Sequence, residues 1–130
     1  MGEVIRVGIA DMNICQAPDL ITTIGLGSCI GAVIYDSKTK TAGLVHIMLP
    51  DSTKIKQNQN KMKFADSGIT ALVEEMEKRG MSRKDLKAKI AGGARMYNFS
   101  STNSDIGSIG EKNTIAVRKK LTELGIRIIS

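Results

Sequence analysis

The chain has 130 residues, of which 42% are hydrophobic and 25% charged, so it has the size and composition of one globular domain and wholesale disorder is excluded. Only 3% of the residues are aromatic, which requires an aliphatic core and argues against a stacking platform for single-stranded nucleic acid. The net charge of +6, from 19 Lys and Arg against 13 Asp and Glu, is spread along the chain, which favours a solvated basic surface over a nucleic-acid track.

The N-terminal part of the chain predicts two strands and a glycine-rich bend. Alternating residues over 3–10 predict the first strand, and an irregular segment with a turn follows over 15–20. The β-branched residues 21–24 predict a short second strand. The segment Gly-Leu-Gly-Ser-Cys follows that strand at 25–29. Its two glycines permit the positive φ angles of a sharp bend. We call residues 25–29 the cysteine bend.

A β-hairpin is predicted directly after the cysteine bend. Residues 30–35 and 41–49 are apolar and β-prone, and polar turn residues at 36–40 join them. The segment 51–61 is polar and has no periodicity, which predicts a loop.

The next part of the chain predicts a helix and a strand. Apolar residues at helical spacing over 62–79 predict an amphipathic helix that ends before Gly80. The sequence Ser-Arg-Lys-Asp at 82–85 resembles a capping box and predicts a one-turn helix. Residues 86–91 alternate in polarity and predict a strand.

The C-terminal part predicts a loop over 96–112, a helix capped by Asn113 that ends before Gly125, and a strand over 126–129. Early hairpins followed by crossover helices favour one α+β domain over residues 1–130, rather than a doubly wound parallel sheet.

The predicted hairpin register brings two reactive side chains to one face of the sheet. If Asp36 pairs with Thr41, then His46 faces Gly31 and Cys29 becomes its diagonal neighbour, with Cα atoms roughly 7–8 Å apart. A register shift of one residue would place the two side chains on opposite faces. The spacing therefore permits a Cys–His pair without requiring it.

A cysteine at such a bend has a setting suited to nucleophilic chemistry. Backbone N–H groups of Gly27, Ser28 and Cys29 can converge on the sulfur and stabilise a thiolate and later an oxyanion. The imidazole of His46 can accept the thiol proton and return it to a leaving amine. The most useful support for this role would be a distance within about 4 Å between the sulfur and a ring nitrogen at the surface. The role requires an accessible ring, and a ring enclosed in the interior would leave only a docking function.

Structural interpretations compete with each of these roles. A cysteine among apolar residues is most often a small buried hydrophobe, which is our interpretation of Cys15. His46 taken alone is more often a satisfied core residue than a catalyst. Together, the glycine-rich bend and the Cys–His spacing favour a catalytic role for Cys29 and His46 as strongly as a structural one. Thr22 and Thr23, just before the bend, both offer a hydroxyl and a carbonyl that can orient the ring.

Two cysteines and one histidine also limit the other classes of site. Three such ligands cannot build a closed four-ligand Cys/His zinc site, and we expect no metal and no cofactor. No apolar run approaches the roughly 20 residues that cross a bilayer, and the N-terminus lacks the apolar core of a signal peptide. We expect a cytoplasmic protein without membrane insertion, whose cysteines are reduced.

Several segments match one known family in order. The string TIGLGSCIG at 23–31 is followed by HIMLP at 46–50, KIAGGARM at 89–96 and IGEKN at 109–113. In these residues the chain resembles CheD, a family of chemoreceptor glutamine deamidases of bacterial and archaeal chemotaxis. The resemblance covers nearly the whole chain, and the Gly-Ser-Cys-Ile-Gly segment with its histidine seventeen residues after the cysteine is its most specific part.

The resemblance implies a cysteine hydrolase without metal or nucleotide. The family triad falls on Cys29, His46 and Thr23, with Cys29 attacking selected glutamine side chains of methyl-accepting chemotaxis receptors. Ammonia leaves, and water cleaves the thioester to give glutamate. Gly27 and Ser28 belong to the bend expected to supply oxyanion donors.

The resemblance also implies a fold and a partner. The fold is a layered α/β/β sandwich similar to the catalytic domain of cytotoxic necrotizing factor toxins. The partner is a CheC-like phosphatase that covers the deamidase site. Family members usually continue past the last predicted strand, so a single domain over 1–130 that is truncated at its C-terminus is one interpretation.

Two rival functions remain. In the first, the chain is a non-catalytic binding module that docks receptors or the CheC phosphatase, and Cys29 is dispensable. In the second, Cys29 is a redox-sensing thiol, which requires Cys15 to approach it.

Overall fold

The computed structural model describes residues 2–52, 60–94 and 109–129. Their regular elements, in chain order, are β1 Val4–Arg6, β2 Met12–Gln16, β3 Leu20–Thr22, β4 Ile30–Asp36, β5 Thr41–Ile47, α1 Ala65–Lys78, β6 Leu86–Gly92, α2 Ile109–Glu123 and β7 Arg127–Ile128. One-turn 3₁₀ helices at Lys61–Lys63 and Arg83–Asp85 precede α1 and β6. The predicted mixed α+β class is confirmed.

The strands form a five-stranded sheet in the order β2-β5-β4-β6-β7, and a separate parallel pair of β1 and β3. In the β4–β5 hairpin Asp36 pairs with Thr41 and Gly31 pairs with His46, so the predicted register is confirmed. The alternation of side chains then places Gly31 and His46 on one face of the sheet and Ile30 on the other.

The core lies between the two helices and one face of the five-stranded sheet. Ile30, Ile34, Leu72 and Leu121 are among its fully or almost fully buried members. Gly43 in β5 leaves room for α1, because a Cβ there would come within 2.6 Å of Leu72 Cδ1. The helices therefore cover the face opposite His46.

The N-terminal strands differ from the prediction. The strand expected over 3–10 extends only over Val4–Arg6, and the second lies at Leu20–Thr22 rather than 21–24. The strand Met12–Gln16 overlaps the segment interpreted as irregular. It pairs antiparallel with β5, so its structure depends on an edge supplied by residues far along the chain.

The predictions for the helices agree with the structure in part. The helix predicted over 62–79 begins at Ala65, after the 3₁₀ helix Lys61–Lys63. The first helix ends before Gly80, which has a φ of 97°. The turn at Arg83–Asp85 forms, but the side chain of Ser82 makes no capping hydrogen bond. The predicted strand 86–91 is found at Leu86–Gly92, and that at 126–129 is the shorter Arg127–Ile128.

Asn113 is not the cap of the second helix, because that helix begins at Ile109 and Asn113 lies inside it. Most of the two predicted loops, 51–61 and 96–112, lies outside the described residues, as do the last two residues of the matched segment 89–96. Within the described part of the chain, no helix is long and apolar enough to cross a bilayer.

Candidate active site

The cysteine bend connects β3 to β4 and is held against the end of β6. Gly25 and Gly27 have φ angles of 67° and 49°, in the region that favours glycine. The carbonyls of Gly27 and Cys29 accept hydrogen bonds from the backbone N–H groups of Ala94 and Gly93, at 2.9 and 2.8 Å. These bonds fix the position of the bend at one end of the five-stranded sheet.

Cys29 is half-buried at the end of the bend. Burial raises the pKa of its thiol, because the thiolate would lose hydration. The N–H of Cys29 donates to the carbonyl of Leu26 at 2.6 Å and closes a turn inside the bend. The resting cysteine is therefore a neutral thiol, which differs from the thiolate expected from the sequence. The oxyanion role of Gly27 and Ser28 stays a prediction.

His46 lies in β5, is fully buried, and has a defined partner on one ring nitrogen. Its Nδ1 is 2.9 Å from Oγ1 of Thr23, and the Thr23 hydroxyl donates to the carbonyl of Val7 at 2.7 Å. Because a hydroxyl has only one proton to donate, the Thr23 oxygen must accept from the ring. This hydrogen-bond chain assigns the ring proton to Nδ1 and leaves a lone pair on Nε2.

The Nε2 atom of His46 is a buried base. It has no hydrogen-bond partner among the described residues. Burial lowers the pKa of the imidazole below its ordinary value of 6.5, so the ring is neutral at neutral pH. A neutral imidazole with an unused lone pair is the form that can accept a proton from a nucleophile.

The expectation of a surface-exposed ring is wrong. The His46 side chain is 0% exposed, and no hydrogen bond joins it to the sulfur of Cys29. The cysteine bend packs on this face of the sheet. A Cβ on Gly31 would lie 3.3 Å from a methyl of Leu26 and 3.4 Å from the methyl of Thr23. Leu26 therefore packs at Gly31, the strand position that pairs with His46.

The structure adds a residue that the sequence analysis interpreted only as a helix cap. Asn113 is 0% exposed, and its Nδ2 donates to the carbonyls of Ser28 and Met48, both at 2.9 Å. Ser28 precedes Cys29 in the chain, and Met48 follows His46 by two residues. The available sequence signal was its place in the matched segment IGEKN at 109–113.

Cys15 lies far from the cysteine bend. It pairs with Ala42, whereas Ile30, which follows Cys29, pairs with Ile47. The interval from 42 to 47 along β5 corresponds to about 17 Å at roughly 3.3 Å per residue. A disulfide requires Cα atoms within about 7 Å, so a redox pair within the chain is excluded. In the described part of the chain, no cluster of His, Cys, Asp and Glu could hold a metal ion.

Comparison with known proteins finds a matching family model and several similar proteins. Residues 48–130 match a family model described as CheD chemotactic sensory transduction. A relative from Lachnoclostridium phytofermentans, named probable chemoreceptor glutamine deamidase CheD, is 56% identical over 130 residues, which are 100% of this chain and 80% of that protein.

Two further relatives have similar names and coverage. The protein of Caldanaerobacter subterraneus, also a probable chemoreceptor glutamine deamidase CheD, is 55% identical over 98% of this chain and 78% of its own length. The chemoreceptor glutamine deamidase CheD of Halalkalibacterium halodurans is 48% identical over 100% of this chain and 80% of its own length. With a matching family model and relatives this similar along its whole length, the chain belongs to the CheD family.

Proposed function

We propose that this chain is a chemoreceptor glutamine deamidase in which Cys29 is the nucleophile, His46 the general base and acid, and Thr23 the residue that orients the imidazole. The observation that carries the assignment of roles is the hydrogen-bond chain from His46 through Thr23 to Val7, which leaves the buried Nε2 of a neutral ring able to accept a proton. Membership of the CheD family supports the substrate class.

The reaction proceeds through a thioester. His46 Nε2 takes the proton of the Cys29 thiol while the sulfur attacks the side-chain amide carbon of glutamine. The imidazolium then protonates the departing nitrogen, which leaves as ammonia as the C–N bond breaks. Nε2 next takes a proton from water, whose oxygen attacks the thioester carbon. Cleavage of the C–S bond releases glutamate, and the sulfur recovers the proton from the ring.

The directions of the two pKa shifts determine how this reaction begins. Burial raises the pKa of Cys29 and lowers that of His46, so both groups are neutral in the resting protein. The resting protein therefore holds no stable thiolate–imidazolium pair, and the proton moves after the substrate has bound. This is general-base catalysis, as distinct from attack by a preformed thiolate.

Substrate binding has to rearrange the cysteine bend. The N–H of Cys29 is occupied by the carbonyl of Leu26, whose side chain also packs beside Gly31. Release of the Leu26 turn frees this N–H for the oxyanion and uncovers the sheet face that carries His46. Glycines at positive φ on both sides of Leu26 make the turn a suitable place for such a change.

The role of Thr23 is tested by Thr23→Val, which keeps the shape and removes the hydroxyl. We expect kcat/KM for deamidation to fall at least about tenfold, because the ring loses the acceptor that fixes its tautomer. Unfolding free energy should fall by about 1–3 kcal/mol, since the Val7 carbonyl loses its donor. Thr22→Val is the matched control, because the Thr22 hydroxyl makes only a 3.5 Å contact with a backbone carbonyl. Equal activity of the two variants would contradict the assignment.

We infer further features from the resemblance and the packing. The helices cover one face of the five-stranded sheet, while Thr23, which directly follows β3, packs beside Gly31 on the other. This arrangement supports the layered α/β/β sandwich of the cytotoxic necrotizing factor catalytic domain. A CheC-like phosphatase as partner and a cytoplasmic location follow from the family resemblance, and two free cysteines fit that location.

The proposed activity is tested by incubating the purified chain with a receptor cytoplasmic fragment and mapping the peptides by mass spectrometry. We expect selected glutamines to gain the mass that separates an amide from an acid. The rival function, a docking module, is favoured by the covered ring and the occupied N–H of Cys29. Such a module would co-sediment with the receptor fragment and leave every glutamine unchanged, and that result would refute the deamidase.

A further inference from the structure

We propose that Asn113 is a positioning residue of the deamidation site, which sets the distance between the nucleophile segment and the histidine strand through two hydrogen bonds from one buried amide. The inference rests on the proposed function, in which Cys29 and His46 react together. It assigns a role to α2, which contributes no member of the proposed triad.

The two hydrogen bonds join segments that are remote in the chain. Asn113 Nδ2 donates to the carbonyl of Ser28, 85 residues away, and to that of Met48, 65 residues away. Both donors of the amide are thus used on one end of the cysteine bend and on the chain just beyond β5. No backbone pairing in the β4–β5 hairpin reaches these two carbonyls, because the ladder stops at Ile30 and Ile47.

The hydrogen bond to Ser28 also acts on the peptide unit of the nucleophile. The carbonyl of Ser28 and the N–H of Cys29 belong to the same peptide group. A donor on that carbonyl polarises the group and makes its N–H a stronger donor. Asn113 therefore strengthens the N–H that the proposed mechanism directs at the oxyanion.

The arrangement around Asn113 is poorly explained by stability alone. Its Oδ1 is buried and has no hydrogen-bond partner among the described residues. A buried amide carbonyl without a partner does not add to stability. A fully buried asparagine whose Nδ2 donates to carbonyls on two separate site segments is what geometric positioning requires.

Close packing holds the amide in place. A Cβ on Gly110 would collide with the carbonyl oxygens of Gly93 and Ala94, so α2 approaches this backbone directly. Gly93 and Ala94 are the residues whose N–H groups hold the cysteine bend. The start of α2, the end of β6 and the bend therefore form one contact region, and Asn113 extends it to Met48.

The test is Asn113→Leu, which keeps the volume and removes both donors, with Val117→Ala as the control. Val117 is 0% exposed on the same helix, and its truncation destabilises the core without touching the site segments. We expect Asn113→Leu to lower kcat for receptor deamidation at least about tenfold at nearly constant KM. Val117→Ala should keep kcat while losing comparable stability. Equal kcat values in the two variants would overturn the proposal.

Two further measurements keep the test decisive. Asn113→Gln retains the amide donors on a longer stem, and we expect its kcat to lie between those of Asn113→Leu and the wild type. If Asn113→Leu does not fold, comparison of Asn113→Gln with Val117→Ala decides, and a kcat unchanged in both overturns the proposal.

Alkylation of Cys29 by iodoacetamide, followed against pH, requires no receptor. We expect its pH profile to shift in Asn113→Leu and not in Val117→Ala. If the wild type deamidates nothing, the proposed function fails. An alkylation profile of Asn113→Leu that does not shift relative to the wild type would refute the role of Asn113, whether or not the wild type deamidates receptors.

Discussion

Replacing Cys29 by alanine is expected to abolish deamidation of receptor glutamines, with kcat/KM falling by about a thousandfold or more. The variant has no atom that can form the thioester, and water would have to attack an unactivated amide. The fold should be unaffected, because Cys29 lies half-buried at the end of a bend that backbone hydrogen bonds hold. The measurement is the rate of glutamine conversion by peptide mass spectrometry.

The matched control is Cys15→Ala, which should retain wild-type activity. Cys15 is buried, and its thiol donates a weak hydrogen bond to the carbonyl of Asp19 at 3.8 Å. Truncation of a buried cysteine lowers stability without changing the chemistry. Full conversion by Cys29→Ala would exclude the thioester mechanism. Comparable losses in both variants would show that folding, and not nucleophilicity, limits the activity.

The second large effect is expected for His46→Gln, with kcat/KM about 10²–10⁴-fold lower, the usual contribution of a general base and acid. Glutamine is polar and able to contact Thr23, yet it cannot take a proton from the Cys29 thiol. The wild-type profile of kcat/KM should lose activity on the acid side only below pH 6.5, because burial holds the pKa of His46 below that ordinary value. A wild-type acid limb centred above pH 6.5 would contradict the buried base.

The same pKa shift predicts how stability depends on pH. The imidazole is neutral in the folded protein at pH values where the unfolded chain already binds a proton, because its pKa is lowered on folding. The unfolding free energy should therefore be unaffected by this group above about pH 6.5 and should fall as pH drops from there through the folded pKa. Denaturant unfolding of the wild type and His46→Gln at several pH values measures the difference, and identical slopes in both proteins would show that His46 is not buried in its neutral form.

The bend and the hairpin of the candidate site could be predicted because short stretches of sequence determine them. The glycines of the cysteine bend predict a chain reversal wherever φ must be positive, and Gly25 and Gly27 adopt such angles. The polar cluster after Asp36 sets the turn, and the apolar segments on either side set the register that pairs Gly31 with His46. The interactions that form the bend and the hairpin join residues that are close in the sequence, so both features can be predicted from the order of the residues.

Other features depended on contacts between remote segments. The strand Met12–Gln16 exists because β5 offers an edge for it, and a short polar-apolar segment without that edge resembles a loop. The burial of His46 was missed for a similar reason, since Leu26 of the bend packs at Gly31, the strand position that pairs with His46. Asn113 was interpreted as a cap because a helix start is judged from nearby residues, whereas its two carbonyl partners lie 65 and 85 residues away.

The sequence by itself determined the family, the mixed α+β class, the hairpin register and the pairing of one cysteine with one histidine as candidates. Only the tertiary structure decided that the histidine is neutral, protonated on Nδ1 and covered, and that the cysteine rests as a thiol. The physical reason is that protonation and tautomer depend on hydration and on hydrogen-bond partners. Both are set by the layers that fold over a residue and not by its neighbours in the chain.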